Sequence, residues 1–323
     1  MPEQSRIIFF GSGEIAIPAF RHLIESGPRP LALVTQPDKP AGRHRSTLTP
    51  PPIKRIALEA GIPVLQPESV REEGSLADLR ELRPDLIVVM AYGQILPKAL
   101  IAIPRIACIN LHASLLPKYR GASCIQAAID EGDPETGVTV MHVVAKLDAG
   151  DIILSKSTPI HPHDTGGTLH ERMADVAAEA LAAALPLVLD GTAPRTPQNP
   201  ALATYVHKLE RDQGRLDWTW PADRLARRIR AYDPWPGTWT EIVEEGKSAK
   251  RLKIFPGTNA STSAPIAEPG PPGTLTLSPD GQLQVTCGTG HLQLHDVQPD
   301  GSRRMPALEW ANGFHGRPLP HLR

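Results

Sequence analysis

The residues best suited to chemistry lie at the end of an apolar run in the first half of the chain. Residues 106–111 read IACINL, and Asn110 and His112 stand two positions apart where this run ends. An imidazole beside an amide is suited to acid–base work and to stabilising a developing oxyanion. Because open α/β sheets bind their ligands beyond the carboxyl ends of their strands, this position favours a functional role over a structural one.

A carboxylate in a second polar turn is the candidate partner of His112. Asp148 lies in the turn LDAGD, residues 147–151, between two apolar runs. Its charge could orient the imidazole and favour the protonated ring. An Asx turn that only leads into the strand after it explains the residue equally well.

A glycine-rich turn follows the first apolar run. Residues 11–16, GSGEIA, fit a dinucleotide-binding fingerprint, but the acidic residue expected about 20 residues later is missing from the segment VTQPD. Glu14 also places negative charge where a pyrophosphate would lie. We therefore interpret the segment as a tight strand-to-helix turn that lines a substrate cleft.

One histidine-rich segment resembles a metal site only superficially. His161 and His163 flank a proline, and they are followed by Asp164 and Thr165. No defined metal-ligand spacing is met, so we interpret the segment as a helix-capping loop.

Two basic groups are candidates for nucleic-acid contacts, although a solvated charged surface is the ordinary alternative for each. The first is a long loop after Asp38, and its length favours function because structureless loops this long are uncommon in compact domains. The second lies on a predicted helix near Trp218 and Trp220. The residues predicted to contact a nucleic acid are Lys39, Arg43, Arg45, Lys54, Arg227 and Arg228.

The elements that must position these residues follow from hydrophobic periodicity. Apolar runs alternate with helical patterns, which predicts a Rossmann-like α/β domain with a mostly parallel sheet. Strands are expected at 6–10, 31–35, 63–65, 86–90 and 106–111, with an edge or antiparallel strand at 138–144. Helices are expected at 15–25, 53–60, 70–82 and 169–185.

The last third of the chain has a different pattern. Residues 190–206 contain three prolines in their first eleven positions and little periodicity, which predicts a linker. A helix at 221–231 and short strands at 238–243, 251–255, 273–277, 283–287 and 292–297 predict a small β-barrel. The expected domains are therefore 1–189, a linker at 190–206, and 207–323.

Composition excludes several classes of protein. The 323 residues include 34 Lys and Arg against 35 Asp and Glu, which argues against a uniformly basic nucleic-acid binder but not against a local basic surface. Three cysteines without C-x-x-C spacing make a disulfide framework or a zinc site improbable. No signal peptide or membrane-spanning run is recognisable, so a cytoplasmic protein is expected.

From Asn110 onwards the sequence resembles the folate-dependent formyltransferases. The motifs are NLHASLLPKYRGA and LDAGDIIL, and the similarity extends over nearly the whole chain to the members that act on methionyl-tRNA. It includes VTQPDKPAGR, AYGQILPKALI, GRLDWTWPADRLARRIRAYDPWPGTW and QPDGSRRMPALEWANG. The first turn departs from the family's common G-T-P-x-F-A, which affects the shape of one cleft wall rather than the reaction.

The resemblance implies transfer of a formyl group from 10-formyltetrahydrofolate, as co-substrate, to the α-amino group of methionyl initiator tRNA, in support of translation initiation. The catalytic residues of the family fall on Asn110, His112 and Asp148, and its folate-binding element falls on Ser114, Leu115, Leu116 and Pro117. The segment around Arg43 matches a loop that inserts at the tRNA acceptor end, and the C-terminal domain matches an oligonucleotide-binding-like barrel. A monomer that needs no metal and no membrane is expected.

Three alternatives stay open on the sequence. A formyltransferase for a UDP-linked amino sugar shares the two central motifs but has little use for the basic loop. A non-catalytic tRNA-binding module would not need Asn110, His112 and Asp148. An NAD-dependent oxidoreductase rests only on the turn at 11–16.

Overall fold

The computed structural model describes residues 5–41, 47–244, 246, 248–257 and 270–323. The chain divides into two compact units. The first comprises Met1–Cys124, Glu135–Pro159 and His170–Val206, and the second comprises Ile125–Pro134, Ile160–Leu169 and His207–Arg323. The predicted linker, residues 190–206, thus belongs to the first unit.

The first unit is built on a seven-stranded sheet with the order β10-β9-β7-β6-β1-β2-β5. Its first five strands in sequence run parallel to one another, and β9 runs antiparallel to both of its neighbours, β7 and β10, so the predicted Rossmann-like class is confirmed. The strands of the unit are β1 (Ile7–Gly11), β2 (Ala32–Val34), β3 (Lys39–Ala41), β4 (Thr47–Thr49), β5 (Val64–Leu65), β6 (Leu86–Met90), β7 (Ala107–His112), β8 (Arg120–Gly121), β9 (Glu135–His142), β10 (Ile152–Pro159) and β11 (Tyr205–Val206).

The central strands form because they are apolar on both faces. Every residue of β1 and β6 is buried, which is typical of a parallel sheet covered by helices on both sides. Strand β9 is antiparallel as predicted, but it is not an edge because β10 pairs with its outer side.

Four helices of the first two-thirds of the chain lie close to the predicted positions, and two others, at 98–101 and 124–131, were not predicted. They are α1 (Ile17–Glu25), α2 (Pro52–Glu59), α3 (Glu73–Glu81), α4 (Lys98–Ile101), α5 (Cys124–Glu131) and α6 (Gly166–Leu189). Thr165 caps α6, since its hydroxyl accepts from the Thr168 N–H and its own N–H donates to the Thr168 hydroxyl. The histidine-rich segment before it is therefore a capping loop, as predicted. None of the helices among the described residues is long and apolar enough to cross a membrane.

Among its described residues, the second unit contains two antiparallel sheets, the helices α7 (Ala222–Ala231) and α8 (Ala307–Asn312), and all of α5 except Cys124. The sheets have the orders β18-β17-β13-β12-β19 and β14-β15-β16, and a bridge between Thr274 and His321 joins them. The strands are β12 (Thr238–Val243), β13 (Lys250–Phe255), β14 (Leu275–Leu277), β15 (Leu283–Thr286), β16 (His291–Gln293), β17 (Asp296–Pro299), β18 (Met305–Pro306) and β19 (His321–Leu322).

One predicted strand in this unit is wrong. The segment 292–297 was expected to be continuous, whereas the chain leaves the three-stranded sheet after Gln293 and enters the five-stranded sheet at Asp296. Leu294 still donates its N–H to Leu283, and the carbonyl of His295 accepts from Ala307, so the backbone changes partners at this corner. A continuous apolar pattern does not reveal such a change of partners, because the residues before and after the corner pack into the same core.

Candidate active site

Asn110 and His112 end strand β7 in the middle of the sheet. Asn110 lies opposite Val89 on one neighbouring strand and Met141 on the other. Side chains two positions apart on a strand point to the same face. The amide of Asn110 is half-buried and His112 is only 6% exposed. The fold thus brings both residues to one face of the sheet.

The imidazole of His112 lies between a carbonyl and a carboxylate. Its Nε2 is 2.9 Å from the carbonyl oxygen of Tyr119, and its Nδ1 is 3.7 Å from Oδ2 of Asp148. A carbonyl can only accept, so Nε2 carries a hydrogen and donates it. The other edge of the ring therefore faces the carboxylate. At 3.7 Å this is an ion-pair distance for the protonated ring, and it is too long for a direct hydrogen bond.

The carboxylate of Asp148 is held from its own side. Its side chain is 11% exposed, and Oδ2 accepts a hydrogen bond of 2.9 Å from the Gly121 N–H. Gly121 is the second residue of β8, and Tyr119 lies just before this strand, at the end of the loop that follows β7. One loop therefore fixes both partners of the histidine.

The backbone at these positions lies in the left-handed region. Tyr119 has φ 58° and Asp148 has φ 46°, conformations that cost a non-glycine residue about 1–3 kcal/mol each. Gly121 has φ 115°, and a Cβ built on it would lie 2.0 Å from the carbonyl oxygen of Val206. Such conformations persist only where the surroundings impose them, and they are common at functional sites.

A segment that we call the strap, residues 196–206, lies against both loops of the site. Thr196 forms an antiparallel bridge with Ile152, after the Asp148 turn, and β11 pairs in parallel with β8. The hydroxyl of Thr204 accepts from the Tyr119 N–H at 2.8 Å. The sequence predicted a linker here, and its absence of periodicity gave no signal of this role.

Gln198 in the strap and Arg120 in β8 are contacts that sequence reasoning missed. The Gln198 amide nitrogen donates to the carbonyl oxygens of Asp148 and Gly150, both at 2.8 Å. Its oxygen accepts from Nε and Nη2 of Arg120, at 3.1 and 2.6 Å. Arg120 is 2% exposed and also donates to the Tyr205 hydroxyl at 3.0 Å. The only available signal was the position of Arg120 inside the motif SLLPKYRGA.

The predicted folate element, residues 114–117, forms a tight turn. Ser114 is fully buried, and its hydroxyl donates to the Lys118 carbonyl at 2.6 Å. Thr139 on β9 accepts from the Leu116 N–H and donates to the Ser114 carbonyl. Leu115 and Pro117 are partly exposed, so they are the members whose side chains can meet a ligand.

The predicted tRNA-binding residues have different surroundings. Lys39 is exposed on β3, whereas Lys54 contacts both carboxylate oxygens of Asp38 at 2.8 Å. These contacts and a hydrogen bond from Gln66 hold the pKa of the Asp38 carboxyl below its usual value, with Gln66 the larger cause. Arg43 and Arg45 lie outside the described residues.

The two predicted arginines of α7 are engaged within the second unit. Arg227 pairs with Asp223 at 2.8 Å and donates to the Asp130 carbonyl. Arg228 forms a two-point ion pair with the Asp130 carboxylate at 2.8 and 2.7 Å, and its side chain is only 15% exposed. Their charges are thus largely compensated by carboxylates of the same unit.

Burial sets the titration of two groups close to the site. Burial raises the pKa of the Cys108 thiol on β7 well above its usual range, so the thiol stays protonated and is a poor nucleophile. Burial also lowers the pKa of His142 at the end of β9, and the positive charge of Arg195 adds to this effect. Within the described parts of the chain, no cluster of three or more His, Cys, Asp or Glu side chains could hold a metal ion.

Two sequence patterns of known families match this chain. The pattern described as formyl transferase covers residues 5–185, and the pattern described as formyl transferase, C-terminal domain, covers residues 208–315. A methionyl-tRNA formyltransferase of Akkermansia muciniphila is 53% identical over 300 residues, which are 93% of this chain and 94% of the relative. One of Marinobacter nauticus is 42% identical over 308 residues, 95% of this chain and 96% of the relative.

Solved structures share the fold. HypX from Aquifex aeolicus, in complex with tetrahydrofolic acid, superposes with a TM-score of 0.61 and 18% sequence identity. The superposition covers 98% of this chain and 48% of HypX. At this level of identity the likeness concerns the fold alone.

Proposed function

The chain belongs to the formyl transferase family, and from this premise we propose that Asn110, His112 and Asp148 are the residues with which it transfers a formyl group from a tetrahydrofolate-derived donor to methionyl-tRNA. The observation that carries the proposal is the His112 ring, anchored by the Tyr119 carbonyl at Nε2 and facing Asp148 at Nδ1. Family membership replaces the oxidoreductase hypothesis, which rested on the turn at 11–16.

The donor in this proposal is 10-formyltetrahydrofolate and the acceptor is the α-amine of methionine on the initiator tRNA. The neutral amine attacks the formyl carbon, and a negative charge develops on the formyl oxygen. A carbon–nitrogen bond to methionine forms, and the bond from the formyl carbon to folate N10 breaks. The proton that the amine loses ends on the folate nitrogen, so the reaction is balanced without another reactant.

Asn110 and His112 stabilise the oxyanion in this scheme. The Asn110 amide and the Nδ1–H of the protonated ring donate hydrogen bonds to it. Nδ1 lies 3.7 Å from Oδ2 of Asp148, too far for a hydrogen bond to the carboxylate. The Nδ1–H can therefore donate to an oxyanion that lies beside the carboxylate. Because Nε2 is anchored, the ring needs no reorientation, and preorganised donors of this kind supply a large share of enzymatic rate enhancement.

Asp148 has two roles in the scheme. Its charge stabilises the protonated His112, and its carboxylate passes the proton of the amine, through water, to the folate nitrogen. Oδ2 is occupied by the Gly121 N–H, so Oδ1 is the oxygen that we assign to the proton. Residues 114–117 form the wall for the folate, with Leu115 and Pro117 as its contacts.

The direct test is a formyl-transfer assay with 10-formyltetrahydrofolate and methionyl-tRNA. We expect product with initiator methionyl-tRNA and little with elongator methionyl-tRNA. His112→Ala should reduce kcat by about 10² or more. Asp148→Asn, which keeps the shape and can still accept from Gly121, should do the same. Near-normal kcat in both folded variants would contradict the assignment.

For the tRNA phosphates we propose two sources of positive charge. One is the loop with Lys39, Arg43, Arg45 and Lys54, which are predicted contacts. The other is a group that we call the sheet-face cations: Arg251 and Lys253 on the exposed side of β13, and Arg215 and Arg323 beside Glu241 of β12. Glu241 pairs with two of these, Arg215 and Arg323. Arg251 lies 3.9 Å over the Trp239 ring, a mix of cations and aromatics typical of surfaces that bind nucleic acids.

The salt dependence of tRNA binding tests whether the phosphates contact the sheet-face cations or the ion-paired arginines of α7. Each phosphate contact that is lost should reduce the slope of log K against log salt by about 0.7–0.9. We expect this change for Arg251→Ala and Lys253→Ala, and a smaller one for Arg227→Ala. A change confined to Arg227→Ala would instead favour the α7 arginines as the phosphate contacts.

We also propose that the protein acts as a monomer in the cytoplasm. All the site residues discussed come from one chain, and charged tRNA is consumed where translation takes place. Sedimentation equilibrium at assay concentrations tests the first point. A dimer there would contradict it.

A further inference from the structure

We infer that Gln198 is a positioning residue for formyl transfer, and that it acts by holding the Asp148 turn through two hydrogen bonds while it accepts from the buried Arg120. The inference rests on the proposed function, because the group that Gln198 holds is the proposed proton carrier. Gln198 itself touches the backbone of the turn and not the reacting atoms.

The orientation of the Gln198 amide is fixed by its partners. Two carbonyl oxygens, of Asp148 and Gly150, lie 2.8 Å from Nε2, and two guanidinium nitrogens of Arg120 contact Oε1. A flipped amide would face carbonyls with an oxygen and a guanidinium with an NH2 group, so all four contacts would become unfavourable. The side chain is therefore a rigid connection between the guanidinium and the turn.

The residue type at position 198 has a chemical reason. Arg120 is a buried cation, and a buried charge is usually paired with an opposite charge. A glutamate at 198 would neutralise Arg120 at the same side-chain length. It would, however, have no donor for the Asp148 and Gly150 carbonyls. The chain uses the neutral amide, which indicates that the two donors to the turn matter more than the charge of Arg120.

The turn needs such support because its conformation is strained. Asp148 is a non-glycine residue with φ 46°, and Gly150 fits so closely that a Cβ would overlap the His142 carbonyl. The Gly121 N–H orients the carboxylate, but it does not hold the backbone of Asp148. Gln198 supplies that backbone support. Without it, the carboxylate is free to move relative to His112, and a displacement of about 1 Å can cost about 10² in rate.

The decisive variant is Gln198→Glu, with Asn199→Asp as its matched control. Asn199 is exposed, and its side chain only caps the next turn, a role that Asp fills equally well. Both variants add one negative charge at neighbouring positions. We expect Gln198→Glu to lower kcat by about 10- to 100-fold with KM for both substrates unchanged within about twofold, and Asn199→Asp to change neither.

Thermal unfolding separates positioning from support of the fold. If Gln198 served only to satisfy Arg120, Gln198→Glu would keep both its melting temperature and its kcat. Retained kcat therefore overturns the inference. Should the glutamate lower the melting temperature by more than a few degrees, kcat and KM are measured at a temperature at which circular dichroism shows the variant to be folded, and the same outcomes apply.

A double-mutant cycle with Asp148→Asn completes the test. If Gln198 acts through Asp148, its substitution should change kcat by less than about twofold in the Asp148→Asn background. Equal losses in both backgrounds would overturn the inference and leave the role of Asp148 intact. An Asp148→Asn enzyme with normal kcat would instead contradict the proposed function, and the inference with it.

Discussion

Gly121 is the position where one added methyl group should disturb both the fold and the chemistry. Its N–H donates to Asp148, its φ is 115°, and its neighbour across the β8–β11 pair is the Val206 carbonyl. A Cβ at this position would lie 2.0 Å from that oxygen, whereas real Cβ atoms do not come closer than 3.0 Å, so the strap or the loop must move by about 1 Å. Gly121→Ala is therefore a test of how tightly the strap and the site are coupled.

The magnitude of the effect follows from these contacts. An alanine held at a strongly positive φ costs about 1–3 kcal/mol, and overpacking a tight site costs about 1–3 kcal/mol more. A total of about 2–6 kcal/mol lowers the melting temperature by about 2–4 °C per kcal/mol in a unit of this size. Loss of a hydrogen bond to a carboxylate is worth about 1.5–3 kcal/mol, which corresponds to about a 10- to 100-fold lower kcat.

The assay compares Gly121→Ala with Gly191→Ala. Gly191 also has a positive φ, of 71°, but a Cβ built there would meet no atom within 4 Å. Gly191→Ala therefore isolates the backbone strain, at about 1–2 kcal/mol, and should leave kcat unchanged. Thermal unfolding and formyl transfer are measured for both variants. If Gly121→Ala keeps kcat within about threefold while folded, the Asp148 carboxylate does not depend on the Gly121 N–H and the reasoning is refuted.

Three further predictions concern stability. Arg228→Met leaves the Asp130 carboxylate, only 11% exposed, without its partner and should lower the free energy of unfolding by about 3–5 kcal/mol in urea titrations; an unchanged midpoint would mean the pair contributes nothing. Trp218→Phe removes the 2.9 Å hydrogen bond to Thr240 and should cost about 1–2 kcal/mol with kcat unchanged; a stability equal to wild type would show that bond to be neutral. Because burial lowers the pKa of His142 below 6.5, the unfolded chain binds more protons, so stability falls as the pH is lowered below 6.5. In urea titrations at several pH values, His142→Gln should weaken the dependence of the free energy of unfolding on pH. An unchanged dependence would mean that other groups cause it.

Periodicity predicted the central parallel strands of the first unit because β1, β2 and β6 are buried on both faces. Runs such as LIVVM at 86–90 match their strand without error. The same reasoning failed at 292–297, where one apolar run supplies strands to two sheets. Among the tryptophans of the second unit, Trp218 is buried while Trp235 is 47% exposed, a difference that residue type alone does not reveal.

For the candidate site, the sequence alone predicted that Asn110 and His112 lie at the end of an apolar strand. Local spacing left Asp148 undecided between a catalytic partner and an Asx turn. The structure adds the distance to His112 and the contact with Gly121, which make the first interpretation the stronger one. Neither contact is local, since Gly121 and Asp148 are 27 residues apart.

By itself, the sequence determined the local features of this protein: the α/β order of elements and the polar strand end at Asn110 and His112. Only the tertiary structure decided what residues 196–206 do. A segment without hydrophobic periodicity reads as a linker, because its role depends on hydrogen bonds between its side chains and backbone groups of loops 50 and 85 residues away in sequence. Hydrogen bonds of this kind leave no pattern in residue type, and they become visible only when the chain is folded.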